Sequence, residues 1–253
     1  MASERIDKLL VELGLCSSRT LAQRLIDAGK VEFGRGGVWQ QVAKANAKFD
    51  RSLQFRILQA EELRYVSRAG LKLEGAIETL AELGLKPNWA ELSAIDVGQS
   101  TGGFSDCLLK HGCASVCGVD VGKNQLAASL RGDRRLRCME GVNARELGQY
   151  FPSERFDLAV MDVSFISQTL ILPELVGVLK NNAVLISLVK PQFEVGPEGI
   201  AKGGLVKNED LYAQVALKIR TLLGQLGLEL LSWKESKIRG GDGNREFIAI
   251  ATR

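Results

Sequence analysis

Asp96-Val97-Gly98-Gln99-Ser100-Thr101-Gly102-Gly103-Phe104 is the stretch on which the reading of this chain turns. The residues Leu92 to Val97 form a strand candidate, and a helical segment follows Gly103, so the glycines lie in a strand-to-helix loop. Gly98, Gly102 and Gly103 permit backbone angles and a closeness of approach that a side chain would block, which is what a loop needs if a ligand is to pass along its backbone. Twenty-four residues after Asp96, Asp120 ends the next strand candidate, where a carboxylate can accept both ribose hydroxyls of an adenosine. A nicotinamide cofactor fits less well, because Gly98 to Gly103 does not spell G-x-G-x-x-G and offers no pyrophosphate cradle. Asp96 would sit poorly beside a diphosphate, whereas it suits the cationic end of S-adenosyl-L-methionine.

Outward from this loop the chain alternates. Strands are expected at Leu92 to Val97, Ser115 to Val121, Leu136 to Glu140, Phe156 to Val163, Ala183 to Lys190, Leu228 to Ser236 and Phe247 to Thr252, with helical segments after Gly103, Lys123, Asn143, Ser167 and Asn208. Alternation of this kind implies an α/β fold: a mostly parallel sheet covered on both faces, with its ligand beyond the carboxyl ends of the strands. Those ends carry Asp96, Asp120, Asp162 and Lys190. A further helix, marked by Leu71, Leu73, Ile77 and Leu80, precedes the sheet and runs to Gly84, with Arg68 and Lys72 in its first turns.

The 253 residues, 45% hydrophobic and 25% charged, leave room for a small domain beside a large one. No run of about 18 apolar residues occurs and the start lacks a secretion signal, so a cytosolic protein without a membrane span is expected. Five cysteines and one histidine show no metal-ligand spacing; no metal site is expected, and the thiols read as small apolar groups. Residues 1 to 72 hold 13 Lys and Arg against 8 Asp and Glu, which concentrates positive charge at the front of a chain whose net charge is only +3. That distribution suits phosphate contacts.

The front end has its own pattern. Ile6, Leu9, Leu10 and Leu13 fall at helical spacing until Gly14, and Ser17 or Ser18 caps a second helix whose buried face is Leu21, Leu25 and Ile26. Short strands follow around Lys30 to Phe33, Val38 to Val42 and Leu53 to Leu58. The runs Arg5-Ile-Asp-Lys-Leu-Leu-Val-Glu-Leu-Gly-Leu-Cys-Ser-Ser-Arg19 and Leu25-Ile-Asp-Ala-Gly-Lys30-Val resemble the RNA-binding module named after ribosomal protein S-four. The resemblance implies a small N-terminal α+β RNA-binding domain over residues 1–59, a linker over 60–66, and phosphate contacts from Arg5, Lys8, Arg19, Arg24 and Lys30, with Arg68 added from the helix beyond.

Lys72, Asp162, Lys190 and Glu246 match in order and context the lysine, aspartate, lysine, glutamate tetrad of FtsJ-like ribose methyltransferases. With Tyr65-Val-Ser-Arg-Ala-Gly-Leu-Lys72-Leu, Met161-Asp-Val-Ser-Phe-Ile-Ser, Val189-Lys-Pro-Gln-Phe-Glu-Val-Gly196 and the front module, nearly the whole chain resembles the TlyA family. The resemblance implies a Rossmann-like seven-stranded methyltransferase sheet over 67–253 and S-adenosylmethionine-dependent methylation of cytidine 2′-hydroxyls in ribosomal RNA. It implies ribosomal RNA or a ribosomal subunit as partner, with no need of a second copy. It places Asp96, Gly98, Ser100, Thr101, Gly102 and Phe104 around the methionine part of the cofactor, Asp120 and Val121 at ribose and adenine, and Asn143 and Ala144 at the adenine edge. The tetrad would be catalytic, with Lys190 as base or hydroxyl orienter and Lys72 as a neighbouring cation that favours its deprotonation, against the opposing influence of the acidic pair. Gln99 is expected to be tolerated if its side chain points outward, and Pro191 to Asn208, a long loop after Lys190, is expected to act as a lid. A membrane-active haemolysin and a non-catalytic ribosome-binding factor are the other two classes to weigh.

Overall fold

The computed structural model describes residues 3–58, 64–240 and 243–253. The chain divides into two compact units, Met1–Val66 and Ser67–Arg253. Most of the expected linker, residues 60–63, lies outside the described residues, as does residue 59.

In the first unit, helices α1 (Ile6–Glu12) and α2 (Arg19–Asp27) pack over short strands. Gly14 takes φ +72° and ends the first helical run, and the Ser18 hydroxyl accepts the Leu21 amide at 3.2 Å to cap α2. The buried face of α2 is Ala22, Leu25 and Ile26, with Leu21 only partly covered. Strands β2 (Val31–Arg35), β3 (Val38–Gln41) and β5 (Gln54–Ile57) form an antiparallel sheet in the order β3-β2-β5, its hairpin closed by Gly36 and Gly37 at positive φ. Two further strands, β1 (Ser3–Arg5) and β4 (Lys48–Asp50), pair with each other; neither is legible in the sequence, because three residues are too few to show an alternation. Ile6, Leu9, Leu10, Leu25, Val31 and Val42 make the core, closed by the rings of Phe33, Phe49 and Phe55.

The second unit opens with α3 (Arg68–Glu82) and continues β6 (Ser93–Val97), α4 (Gly103–Lys110), β7 (Ser115–Asp120), β8 (Leu136–Glu140), α5 (Leu147–Tyr150), β9 (Phe156–Met161), α6 (Leu172–Gly177), β10 (Leu179–Val189), α7 (Asp210–Gln225), β11 (Glu229–Glu235) and β12 (Phe247–Thr252). The seven strands lie in the order β11-β12-β10-β9-β6-β7-β8. All neighbours are parallel except β12, which runs antiparallel to both β10 and β11. The order reverses between β6 and β9, so the crevice at their carboxyl ends is the place where such a sheet binds a ligand. Ile95, Ala159, Val160, Met161 and Leu185 are fully or almost fully buried, as strands covered on both faces require.

One expected helix is absent. The segment after Lys123 forms only a single 3-10 turn, Ala128–Leu130. It is an irregular strap whose leucines press onto the glycine loop: a Cβ at Gly102 would meet Leu130 Cδ1 at 2.6 Å and Leu126 Cδ1 at 2.8 Å.

Candidate active site

The glycine loop is shaped by close approaches at Gly98 and Gly103. Gly98, at φ +84°, lies so near the end of β9 that a Cβ would stand 2.5 Å from the Asp162 carbonyl oxygen. At Gly103 a Cβ would meet the Ser67 hydroxyl at 2.1 Å and the Gly70 amide at 3.1 Å, which lets the start of α3 close over the loop. Ser100 between them takes φ +48°, an uncommon conformation for a residue with a side chain. Its amide donates to Asp120 Oδ2 at 2.7 Å while the Gly122 amide donates to Oδ1 at 2.7 Å. Asp120 is thereby fixed at the rim, and each oxygen keeps a lone pair for a ligand hydroxyl.

Asp96 and Gln99 form the underside of the loop. Asp96 is completely buried; its Oδ2 accepts the Ser105 hydroxyl at 2.7 Å and its Oδ1 has no hydrogen-bond donor. Burial pushes its carboxyl up to about 7, against the lowering effect of Ser105, and the charges of Asp162 and Asp120 add to the rise. Gln99 does not take the outward orientation on which its tolerance in the loop would depend. Its side chain is 4% exposed and points inward, where its amide donates to Ser105 Oγ at 2.8 Å. Room for it comes from Gly118 on the neighbouring strand, where a Cβ would lie 1.9 Å from Gln99 Nε2.

Two adjoining cavities flank the loop. The larger, about 700 Å³, is lined by Gly98, Ser100, Asp120, Val121, Asn143 and Ala144 of the expected cofactor residues, together with Gln125, Arg145, Asp162, Ser164 and Phe165. The smaller, about 200 Å³, is lined by Gly98, Ser100, Thr101 and Phe104, with Ser67, Ser164, Asp162 and Lys190. Asp96 and Gly102 line neither; they support the loop from behind. The Asn143 carbonyl oxygen is taken by the Arg145 amide at 3.1 Å, so that side chain caps the turn below it.

The four residues of the tetrad meet as two ion pairs. Lys72, one turn into α3, lies 2.5 Å from Glu246 with both side chains nearly buried. Gly240 leaves space for the carboxylate, since a Cβ there would be 2.8 Å from Glu246 Oε1. Lys190 Nζ lies 2.6 Å from Asp162 Oδ1, a contact of charges without hydrogen-bond alignment, and donates to Ser164 Oγ at 2.8 Å. Sheet register gathers residues far apart in sequence. Val189 faces Phe247 across the β10–β12 pair, so Lys190 and Glu246 stand one step beyond, and Asp162 follows the end of β9 alongside. Lys72, proposed from sequence as the cation acting on Lys190, has its charge matched by Glu246.

Ser164 and Phe165 carried no role in the sequence reading. Phe165 is 91% exposed at the mouth of the larger cavity, takes φ +64°, and lies 5.2 Å from the Phe193 ring. An exposed aromatic in a strained backbone conformation is a sign of function rather than packing. Pattern alone gave no signal of it, because Phe165 reads as one more strand-end apolar residue.

In the first unit, Arg5 and Arg19 both bind the buried Asp7 carboxylate and remain about half exposed. Lys8 stands between Glu4 and Glu12, with its charge taken up locally. Arg24 and Lys30 are half-buried on and just after α2, and Arg68 is half-buried at the first residue of α3 in the second unit.

A seven-stranded sheet with one antiparallel strand, a cradle at its switch point and a Lys–Asp–Lys–Glu cluster beside it define the class as a methyltransferase of FtsJ-like type. Residues 65–253 match the profile of the FtsJ-like methyltransferases, and residues 4–32 match that of the S4 domain. The 16S/23S rRNA (cytidine-2′-O)-methyltransferase TlyA of Mycobacterium tuberculosis is 40% identical over 96% of this chain and 88% of its own length. Hemolysin A of Brachyspira hyodysenteriae is 36% identical over 97% and 98%. The solved structure of a suspected hemolysin from Streptococcus thermophilus, 38% identical, superposes with a TM-score of 0.74 over all of this chain and 89% of that one. The chain belongs to the TlyA family of FtsJ-like methyltransferases.

Proposed function

We propose that this protein transfers a methyl group from S-adenosylmethionine to the 2′-hydroxyl of cytidines in ribosomal RNA. The observation that carries the reading is the convergence of Lys190, Asp162 and Ser164 on a cavity that adjoins a built nucleoside cradle. The larger cavity has the volume of a small-molecule site and presents a fixed carboxylate, Asp120, to ribose hydroxyls and an exposed apolar side chain, Val121, to a purine. Gly98, Ser100, Thr101 and Phe104 would hold the methionine part, with Asp96 acting through the loop. When bound, the cofactor supplies a methyl group on a sulfonium, already a good leaving group. The residues of the chain therefore have only to align the acceptor and take its proton.

Lys190 is the residue at the reacting hydroxyl. Asp162 and Ser164 fix its nitrogen in place, so that it orients the 2′-oxygen or takes up its proton. The Lys72–Glu246 pair braces this arrangement from α3 and β12. Phe165, backed by Phe193, offers the face on which a nucleobase stacks at the cavity mouth. Arg5 and Arg19 would contact RNA phosphates through the first unit. Residues 1–66 and 67–253 serve as the recognition and catalytic domains, and a ribosomal substrate places the reaction in the cytoplasm. Among the described residues no helix is long and apolar enough to cross a membrane, which gives the name of the Brachyspira relative no counterpart in the helices of this chain.

The test is transfer of radiolabelled methyl groups to ribosomal subunits and naked ribosomal RNA by the wild type, Lys190→Ala and Lys190→Arg. An alkali-resistant labelled dinucleotide that disappears in both variants supports ribose methylation with Lys190 as base. Arginine stays protonated, so a Lys190→Arg enzyme at the wild-type rate would leave Lys190 only an orienting role. No transfer to either substrate with cofactor binding intact would favour a non-catalytic ribosome-binding factor.

A further inference from the structure

Asp7 is an acidic residue set between Arg5 and Arg19, and by charge alone it should weaken binding of RNA. Its surroundings say otherwise. The carboxylate is fully buried in the first turn of α1, while the side chains it holds reach the surface. Arg5 binds it through Nε to Oδ1 at 3.1 Å and through Nη2 to Oδ2 at 3.0 Å. From α2, Arg19 Nη2 donates to the same Oδ2 at 2.9 Å and Gln23 Nε2 at 2.8 Å. Arg19 and Gln23 are one helical turn apart, so one buried carboxylate clamps α1 to α2 through a single face of the second helix. Burial by itself would raise the Asp7 carboxyl, but the bonds from Arg5, Gln23 and Arg19 hold it well below the usual carboxylate range, so it stays charged.

The consequence is geometric. Two guanidinium groups that repel each other are held against one oxygen atom, each about half exposed: 45% for Arg5 and 53% for Arg19. A guanidinium has five N–H donors in a rigid fork; Arg5 uses two on Asp7 and Arg19 one, which leaves most of both forks for a second acceptor. The cluster carries one net positive charge, matched by one phosphodiester.

We propose that Asp7 is a positioning residue that presents Arg5 and Arg19 as one preorganised clamp for an RNA backbone phosphate, a proposal that rests on the RNA-methylating reading. Removing this negative charge therefore weakens RNA binding, the reverse of what net charge predicts.

The experiment measures binding of full-length protein to purified ribosomal RNA across a KCl series for the wild type, Asp7→Asn, Glu12→Gln and Arg19→Lys, with circular dichroism melts of each. Glu12→Gln makes the same charge change on the same helix outside the clamp, next to Lys8 and Arg51. Asp7→Asn is expected to bind about tenfold more weakly, with the slope of log K against log salt shallower by about one; Glu12→Gln should bind as tightly as wild type or tighter. Arg19→Lys keeps the charge but loses the fork, and should fall with Asp7→Asn. Should Asp7→Asn fail to fold, the Arg19→Lys comparison decides. Wild-type binding by a folded Asp7→Asn, or by Arg19→Lys, overturns the clamp while the methyltransferase reading stands. A wild-type protein that methylates RNA without salt-dependent binding would overturn the recognition role of the first unit and the clamp with it.

Discussion

Gln99, in the loop after β6, fills the space that Gly118 leaves open on β7. Since a Cβ at position 118 would lie 1.9 Å from Gln99 Nε2, Gly118→Ala must expel or crush the amide, at a cost of about 1–3 kcal/mol. Gln99→Ala leaves a void and removes the donor to Ser105, at a similar cost. The double variant fills the void with the new methyl group, so urea denaturation of the four proteins should give a loss smaller than the sum of the singles; strict additivity would refute the shared-volume argument. Asp96, below them, makes a pH prediction. Its folded value of about 7 exceeds its ordinary 3.8, so the native state holds a proton that the unfolded chain has lost between those values. Its contribution to stability is complete below about pH 4, falls as pH rises through the window, and is level above 7. Relative to wild type, Asp96→Asn should therefore gain up to about 4 kcal/mol between pH 4 and pH 8. A difference that does not change with pH would show that the carboxyl titrates normally.

At the scale of elements, the segment from Pro191 to Asn208 is less free than a lid. Glu194 is buried and accepts from the Gln168 amide at 2.7 Å, the Ser167 hydroxyl at 2.6 Å and Lys218 at 2.9 Å. Further on, Asn244 accepts the Val206 amide and donates to the Gly204 carbonyl, pinning the bridge between Ile200 and Val206. Amide exchange in the free protein should be slow at 194, 195, 199, 200, 201 and 207, whose amides are hydrogen-bonded, and fast at Lys202 and Gly203, and Glu194→Ala should release the amides of 194 and 195 while lowering turnover, since Phe193 supports Phe165. Uniformly fast exchange in the wild type would restore the lid. What could be read from sequence divides along the same line. Phe247–Thr252 was legible to the residue, because a strand buried on both faces reads as a continuous apolar run. Lys72, Asp162, Lys190 and Glu246 came from the resemblance to the FtsJ-like tetrad; the β10–β12 register sets Lys190 beside Glu246, whereas Lys72 arrives from helix α3. The inward turn of Gln99, the strap of Leu126 and Leu130 and the Asp7 clamp were not legible, since each depends on a contact between positions that no local periodicity links.

Strand β12 sets the order in which the second unit can assemble. It is the last of the seven strands to be synthesised, yet its place is inside the sheet, between β10 and β11, antiparallel to both. Until it emerges, β10 has an unfilled hydrogen-bonding edge and β11 no partner, and Lys72 lacks the carboxylate of Glu246 just ahead of that strand. Assembly of the second unit therefore ends on long-range contacts, which are the slow ones to form. Chains arrested on the ribosome with Phe247–Thr252 still in the exit tunnel should be digested by protease throughout residues 67–235, whereas chains arrested about 30–40 residues later, with an unstructured extension, should resist it. Resistance in the shorter set would mean that the six earlier strands already fold. On this order of events, a nascent chain bound to a ribosome cannot methylate RNA before its own translation through position 252 is finished: the strand that seals the sheet is also the timer of the enzyme.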